Sequence, residues 1–194
     1  MEGITITTIL AYVAIAFYFI IERFLRKGKQ AIELQPGIAD AGSSYVLWIA
    51  GTINILLIIA APIFNIYQIG YFAEQYINWL GLILMLAGLI IRYWAAKTLG
   101  KYYTRTLQTI EEQTIIDRPP YNIVRHPGYL GTFLIEIGAG LAVKNWLVLL
   151  AIIVLGALSR VYRINMEERM LGEQFIDKYR LYSRNTWKLI PFLY

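Results

Sequence analysis

Two short stretches of this chain hold the residue types best suited to chemistry. The first is Arg125-His126-Pro127-Gly128-Tyr129-Leu130-Gly131, with the only histidine in the sequence. Pro127 disfavours helix at His126 and starts a helix well, because its missing N–H would be unbonded there anyway. The helix that follows offers free N–H groups and a positive dipole end, a place for an anionic group. The second stretch is Arg160, Arg163, Glu167, Glu168 and Arg169. Arg163 and Glu167 are four apart and share a helix face. A guanidinium can orient a carboxylate through two parallel hydrogen bonds, and a carboxylate can hold an ammonium or a diol. Each stretch also has an ordinary reading: a loop-to-helix turn with an incidental histidine, and a solvated ion pair worth a few tenths of a kcal/mol.

The elements that must position these residues are membrane helices. Of 194 residues, 58% are hydrophobic and 16% charged, and the mean hydropathy is +0.51. Apolar runs extend from about Ile4 to Ile21, Tyr45 to Phe64 and Trp79 to Trp94, then from Tyr129 to Val143 and Trp146 to Leu158. These predict an all-α, polytopic bundle of about five spans in one domain. The first run has no basic n-region or small-residue cleavage site, so it reads as a retained span. Residues 1–96 hold three spans, 97–128 a polar loop, 129–158 two short arms, and 159–194 a basic tail continuing the last helix into water. Only Lys144-Asn145 separates the arms, which demands a tight antiparallel hairpin. Each arm is near the lower limit for a core of roughly 30 Å.

With the N-terminus outside, only Lys144 of the eighteen basic residues falls on the outer side. The polar loop and the tail then share the cytoplasmic face. The hairpin brings His126, Arg163, Glu167 and Glu168 together at that face. The net charge of +5 therefore reflects topology rather than nucleic-acid binding, and one histidine with no cysteine argues against a metal site. Glu136 reads as facing a helix partner or a polar cavity, Asn54 as an interhelical hydrogen-bonding residue, and Arg92 as snorkelling without a function. Phe175, Tyr179 and Tyr182, beyond Leu171, read as a packing stripe. Gly138, Ala139 and Gly140 suggest close helix approach or a slot between helices.

Pro120-Tyr121, the stretch from Arg125 to Gly131, and Glu167-Glu168 with Leu171, Phe175, Tyr179 and Tyr182 form a pattern. It resembles that of the isoprenylcysteine carboxyl methyltransferases and the related phospholipid methyltransferases, over roughly Leu99 to Tyr182. The resemblance implies S-adenosylmethionine as methyl donor, with S-adenosylhomocysteine as product. It implies donor-binding positions at Gln108, Gln113, Thr114, Ile115, Ile116, Tyr121, His126, Pro127, Gly128, Tyr129, Glu167 and Glu168. Arg163 matches an arginine associated with the methyl acceptor, and Arg163 and Glu167 are the expected catalytic pair. The acceptor it implies is a lipid-modified substrate held in the bilayer, foremost a C-terminal isoprenylcysteine carboxylate. A carboxylate is ionised at pH 7 and needs no general base. A phospholipid amine is the alternative acceptor. A sterol-reductase-like enzyme and a non-catalytic membrane protein are the alternatives from other classes. No glycine-rich strand–loop–helix signature is present, so the donor site is not of the Rossmann type.

Overall fold

The computed structural model describes residues 4–25, 40–103 and 115–192. Among them the chain forms five α-helices and one 3-10 turn. Helices α1 (Ile6–Leu25), α2 (Ser43–Ile66) and α3 (Gln75–Leu99) come first. The 3-10 turn, Gly100–Tyr102, follows, then α4 (Pro127–Ala142) and α5 (Trp146–Arg184). A bilayer offers no water to backbone N–H and C=O groups, so helices, which satisfy them internally, are the expected response to these apolar runs. Four of the helices (α1, α2, α3 and α5) are long and apolar enough to cross a membrane. The 16-residue α4 is about 24 Å long at 1.5 Å per residue and is the short member of the bundle. The second arm is far longer than its apolar run: α5 extends for 39 residues and leaves helical geometry only at Ile176 (φ 20°, ψ −90°).

Helices α3 and α4 pack backbone to backbone. A Cβ on Gly81 would lie 2.5 Å from the Gly138 carbonyl oxygen, and one on Gly88 would lie 2.5 Å from that of Gly131. The two glycine pairs are seven residues apart on each helix, so they repeat the contact along an antiparallel crossing. Inside a bilayer, where apolar burial drives little association, such close van der Waals contact holds helices together. Gly138 is therefore part of a helix seam and not of a slot. Gly140 faces Leu149 and Ile152 of α5. Of the three small residues only Ala139 borders a cavity.

The hairpin tip is tied down by neutral polar groups. Lys144 turns the chain with φ 60°, and the Asn145 side chain caps α5 by accepting from Val148 N at 3.0 Å. The Asn145 amide donates to Asn65 Oδ1 at 2.9 Å and to the Ile69 carbonyl at 2.8 Å. Asn65 donates to the Val143 carbonyl at 2.8 Å, and Thr7 donates to that of Ala142 at 3.0 Å. These bonds bring the start of α1, the end of α2 and the hairpin to one end of the bundle. The chemistry-bearing residues lie at the other.

Candidate active site

At that other end α4 begins and α5 emerges from the apolar layer. His126 precedes α4 with non-helical backbone (φ −122°, ψ 54°), and Pro127 opens the first turn. The segment is held by the C-terminal strap. Trp187 N donates to the Ile123 carbonyl at 3.0 Å, while Arg125 N and His126 N donate to the Trp187 and Lys188 carbonyls at 2.8 and 3.2 Å. The Arg125 guanidinium adds bonds to the Ser183 carbonyl, at 2.9 Å, and to that of Thr186. Tyr182 donates to the Tyr121 carbonyl at 2.8 Å. An extended segment with exposed amides in its sequence thus has its backbone satisfied from a strap some sixty positions downstream.

The histidine and the two glutamates meet here. His126 Nε2 lies 3.2 Å from Glu168 Oε1, and Nδ1 lies 4.0 Å from Glu167 Oε2. The neighbouring acids nevertheless occupy different settings. Glu168 is ringed: Arg125 Nε reaches Oε1 at 2.8 Å, and Lys188 Nζ reaches Oε2 at 3.1 Å. It does not line the cavity described below. Glu167 does line it, and its side chain is 26% exposed. Its Oε2 accepts from the Tyr129 hydroxyl at 2.8 Å, and its Oε1 has no partner among the described residues.

Arg163 is buried and heavily engaged. Its Nη1 pairs with Asp40 and donates to Ser43 and Ser44 Oγ at 3.0 and 2.8 Å. Its Nε donates to the Tyr129 hydroxyl at 3.0 Å. Nη2 is the nitrogen with no partner among the described residues. Burial pushes the Asp40 carboxyl up, but bonds from the Ser44 backbone and side chain, the Arg163 charge and Ser43 outweigh it and hold the group below its usual range.

A cavity of about 450 Å³ runs through this end of the bundle. The segment before α4 lines it with Ile115, Ile116, Tyr121 and His126, and α5 with Glu167 and Tyr182. Burial raises the Tyr121 hydroxyl well above its ordinary range, so it stays protonated. Deeper in, the wall from α1 and α2 is apolar, with Ile15, Phe19, Leu47, Trp48 and Ile55. The opposing wall carries a polar seam of Tyr129, Thr132, Glu136, Arg160 and Arg163. Glu136 faces both a helix partner and the cavity. Arg160 Nη2 reaches its Oε1 at 2.7 Å, and Asn54 donates to its Oε2 at 2.8 Å, the interhelical bond expected of Asn54.

Of the sequence-predicted site residues, Ile115, Ile116, Tyr121, His126, Gly128, Tyr129, Arg163 and Glu167 border this one cavity. Pro127 is buried behind it. Gln108, Gln113 and Thr114 lie outside the described residues. Leu171, Phe175, Tyr179 and Tyr182 also border the cavity, so the stripe read as packing forms a wall of it. Arg92 departs from the snorkelling expectation. It turns inward, its Nε 2.7 Å from Glu22 Oε1 and its guanidinium 5.1 Å from the Tyr103 ring centroid. Tyr103 also donates to Glu22 at 2.7 Å. An arginine beside lipid is costly, and an acid one helix away removes most of that cost. Neither Glu22 nor Asp40 stood out in the sequence. Asp40 had a signal, an acid just ahead of Ser43-Ser44 and an apolar run, which is a helix-start pattern.

The sequence of residues 79–173 matches the profile of the isoprenylcysteine carboxyl methyltransferase (ICMT) family. Over these 95 residues, 49% of the chain, the sequence is similar to that family. The matched ICMT region contains His126, Arg163 and Glu167. Three curated relatives are protein-S-isoprenylcysteine O-methyltransferases. The one from Saccharomyces cerevisiae is 32% identical over 118 residues, 59% of this chain and 48% of the relative. The one from Dictyostelium discoideum is 30% identical over 118 residues, 58% and 48%. The A form from Arabidopsis thaliana is 28% identical over 115 residues, 58% of each chain. The chain spans 48% to 63% of the length of the curated relatives it matches. A solved structure of the eukaryotic intramembrane Ras methyltransferase ICMT superposes with a TM-score of 0.74 at 20% identity, covering 99% of this chain and 70% of that one. The all-helical, multi-pass membrane bundle is thus the ICMT fold.

Proposed function

We propose that this chain transfers a methyl group from S-adenosylmethionine to the carboxylate of a membrane-held, lipid-modified acceptor, foremost a C-terminal isoprenylcysteine. One observation carries the reading: a single cavity joins a polar mouth at His126 and Glu167 to an apolar arm between α1, α2 and α4. A charged, water-borne donor and a fatty acceptor require such a junction. In the proposed topology the N-terminus is outside and the mouth faces the cytoplasm.

The residues at the mouth fit the donor. Glu167 has an unpartnered oxygen for its ammonium or ribose hydroxyls, and Ile115, Ile116 and Tyr121 offer apolar and aromatic surface for adenine. The α4 N-terminus at Gly128 suits its carboxylate. When bound, the donor supplies a methyl carbon on a sulfonium: the acceptor oxygen forms the new C–O bond, the C–S bond breaks, and its electron pair leaves sulfur as a neutral thioether. No proton moves. The protein's part is alignment and exclusion of water from the acceptor carboxylate. Arg163 orients that carboxylate through Nη2. Its other nitrogens are engaged by Asp40, the serines and Tyr129, so the contact is single-pointed and not a fork.

The test is methyl transfer by the purified chain in proteoliposomes, with methyl-labelled donor and an S-farnesylcysteine carboxylate. The expected product releases volatile methanol in base, as an ester does. Label that survives base marks an amine acceptor, and no transfer removes the proposal.

A further inference from the structure

Arg163 and Glu167 sit one turn apart on α5, a spacing at which arginine and glutamate ordinarily pair directly. Among the described residues they form no ion pair with each other. The Tyr129 hydroxyl stands between them, accepting from Arg163 Nε at 3.0 Å and donating to Glu167 Oε2 at 2.8 Å. Resting on the reading above, we propose that Tyr129 couples the two ligand sites, so that a carboxylate acceptor at Arg163 raises donor affinity at Glu167.

The framework around this hydroxyl is fixed at three points. Arg163 Nη1 is anchored by Asp40, Ser43 and Ser44, so the guanidinium does not swing when a ligand arrives. The Tyr129 ring leans on that of His126, with centroids 5.8 Å apart. Glu167 is carried on α5 itself. What passes between the sites is therefore charge and not movement.

The sign follows from electrostatics. With Arg163 unliganded, its positive charge pulls on the Tyr129 oxygen and sharpens the O–H bond donated to Glu167. The carboxylate of Glu167 is then partly satisfied and partly neutralised. An acceptor carboxylate on Nη2 cancels much of the Arg163 charge. The Tyr129 hydroxyl becomes a weaker donor, and the field at Glu167 becomes more negative. A cationic donor is then held more tightly. Partly buried hydrogen bonds that share one hydroxyl polarise each other, so the effect passes over the two bonds involved. Linkage makes the coupling reciprocal: donor binding strengthens acceptor binding by the same factor. Tyr129 acts here as a positioning residue whose hydroxyl is shared, and a phenylalanine in its place breaks both bonds while keeping the ring.

Calorimetry with S-adenosylhomocysteine, which keeps the ammonium but cannot react, tests this on the full chain in detergent. It is titrated alone, with N-acetyl-S-farnesylcysteine, and with the methyl ester of that compound, which lacks the charge. In the wild-type chain the carboxylate should tighten S-adenosylhomocysteine about fivefold or more, and the ester should not. In Tyr129→Phe the ratio should fall to within about twofold of unity, though the variant still binds each ligand. Equal tightening by ester and carboxylate, no tightening at all, or full coupling retained in Tyr129→Phe would each overturn the proposal. If the variant does not fold, the wild-type comparison of carboxylate with ester decides alone. Absence of any S-adenosylhomocysteine binding would instead remove the donor site itself, a separate outcome.

Discussion

At the hairpin tip, Thr7, Asn65 and Asn145 bond to one another's elements and to backbone carbonyls. At the opposite end the polar groups are acids and bases instead, Glu22, Arg92, Arg125, Arg163, Glu167 and Glu168, several of them less deeply buried. Both ends hold helices in register, yet the chemistry chosen differs. Apart from the buried Lys144, whose ammonium lies 5.6 Å from the Tyr71 ring centroid, the tip relies on neutral amides that satisfy one another at modest desolvation cost. Charged groups are far more expensive to keep in or near lipid, so each must be met by a counter-charge. Where such groups gather around a cavity and one carboxylate oxygen stays unmet, the arrangement goes beyond holding helices together. Glu167 and Glu168 repeat the contrast between adjacent residues: one is ringed by three cations or donors, the other left facing open space.

Breaking the tip tests its half of this contrast and carries the largest expected effect. Asn145→Ala removes the α5 cap and strands Asn65 Oδ1, the Ile69 carbonyl and Val148 N. Thermal unfolding in detergent should show a loss of about 3 kcal/mol, while donor affinity stays at its wild-type value. A parallel loss of affinity would mean that the two ends are not separable.

Glu167→Gln is the opposite experiment and the next in size. Glutamine still accepts the Tyr129 hydrogen bond, so the unfolding midpoint should change little. Calorimetry should show donor affinity reduced about tenfold or more, the worth of one charge-assisted contact. Affinity left intact would remove Glu167 from the donor site.

The smallest effect is a pH dependence at Asp40. Its carboxyl is held below the usual range in the folded chain. The stabilisation is therefore fully present above the ordinary aspartate pKa and is lost as the pH falls through the folded value. Unfolding midpoints measured down through that acidic window should fall for the wild-type chain, and Asp40→Asn should flatten that part of the slope. An unchanged slope would mean that the Arg163 anchor is indifferent to its counter-charge.

The helices and the tight hairpin were legible because apolar runs and a two-residue break dictate them directly. The meeting of His126 with the paired acids was legible for the same reason: a hairpin forces the start of one arm toward the end of the other. What the sequence hid was partnership across distance. Arg92 looked like a snorkelling residue because nothing near it in the chain opposes its charge, and Glu22 lies seventy positions away. Asp40 meets Arg163 across 123 positions. Periodicity shows which face a residue occupies, but not which of two buried faces meets a void. The aromatic stripe of α5 reads as packing from its spacing, and that spacing gives no sign that the same stripe also borders the cavity.

The paired glycines of α3 and α4 have a consequence for how the cavity accommodates its guests. Where two main chains touch, there are no rotamers left to reshuffle, and the joined helices form one stiff plank. The wall they contribute keeps its contour whatever enters. Any change in the cavity's outline falls to the facing panels of α1 and α2, whose isoleucine, leucine and tryptophan side chains supply the give that the plank lacks.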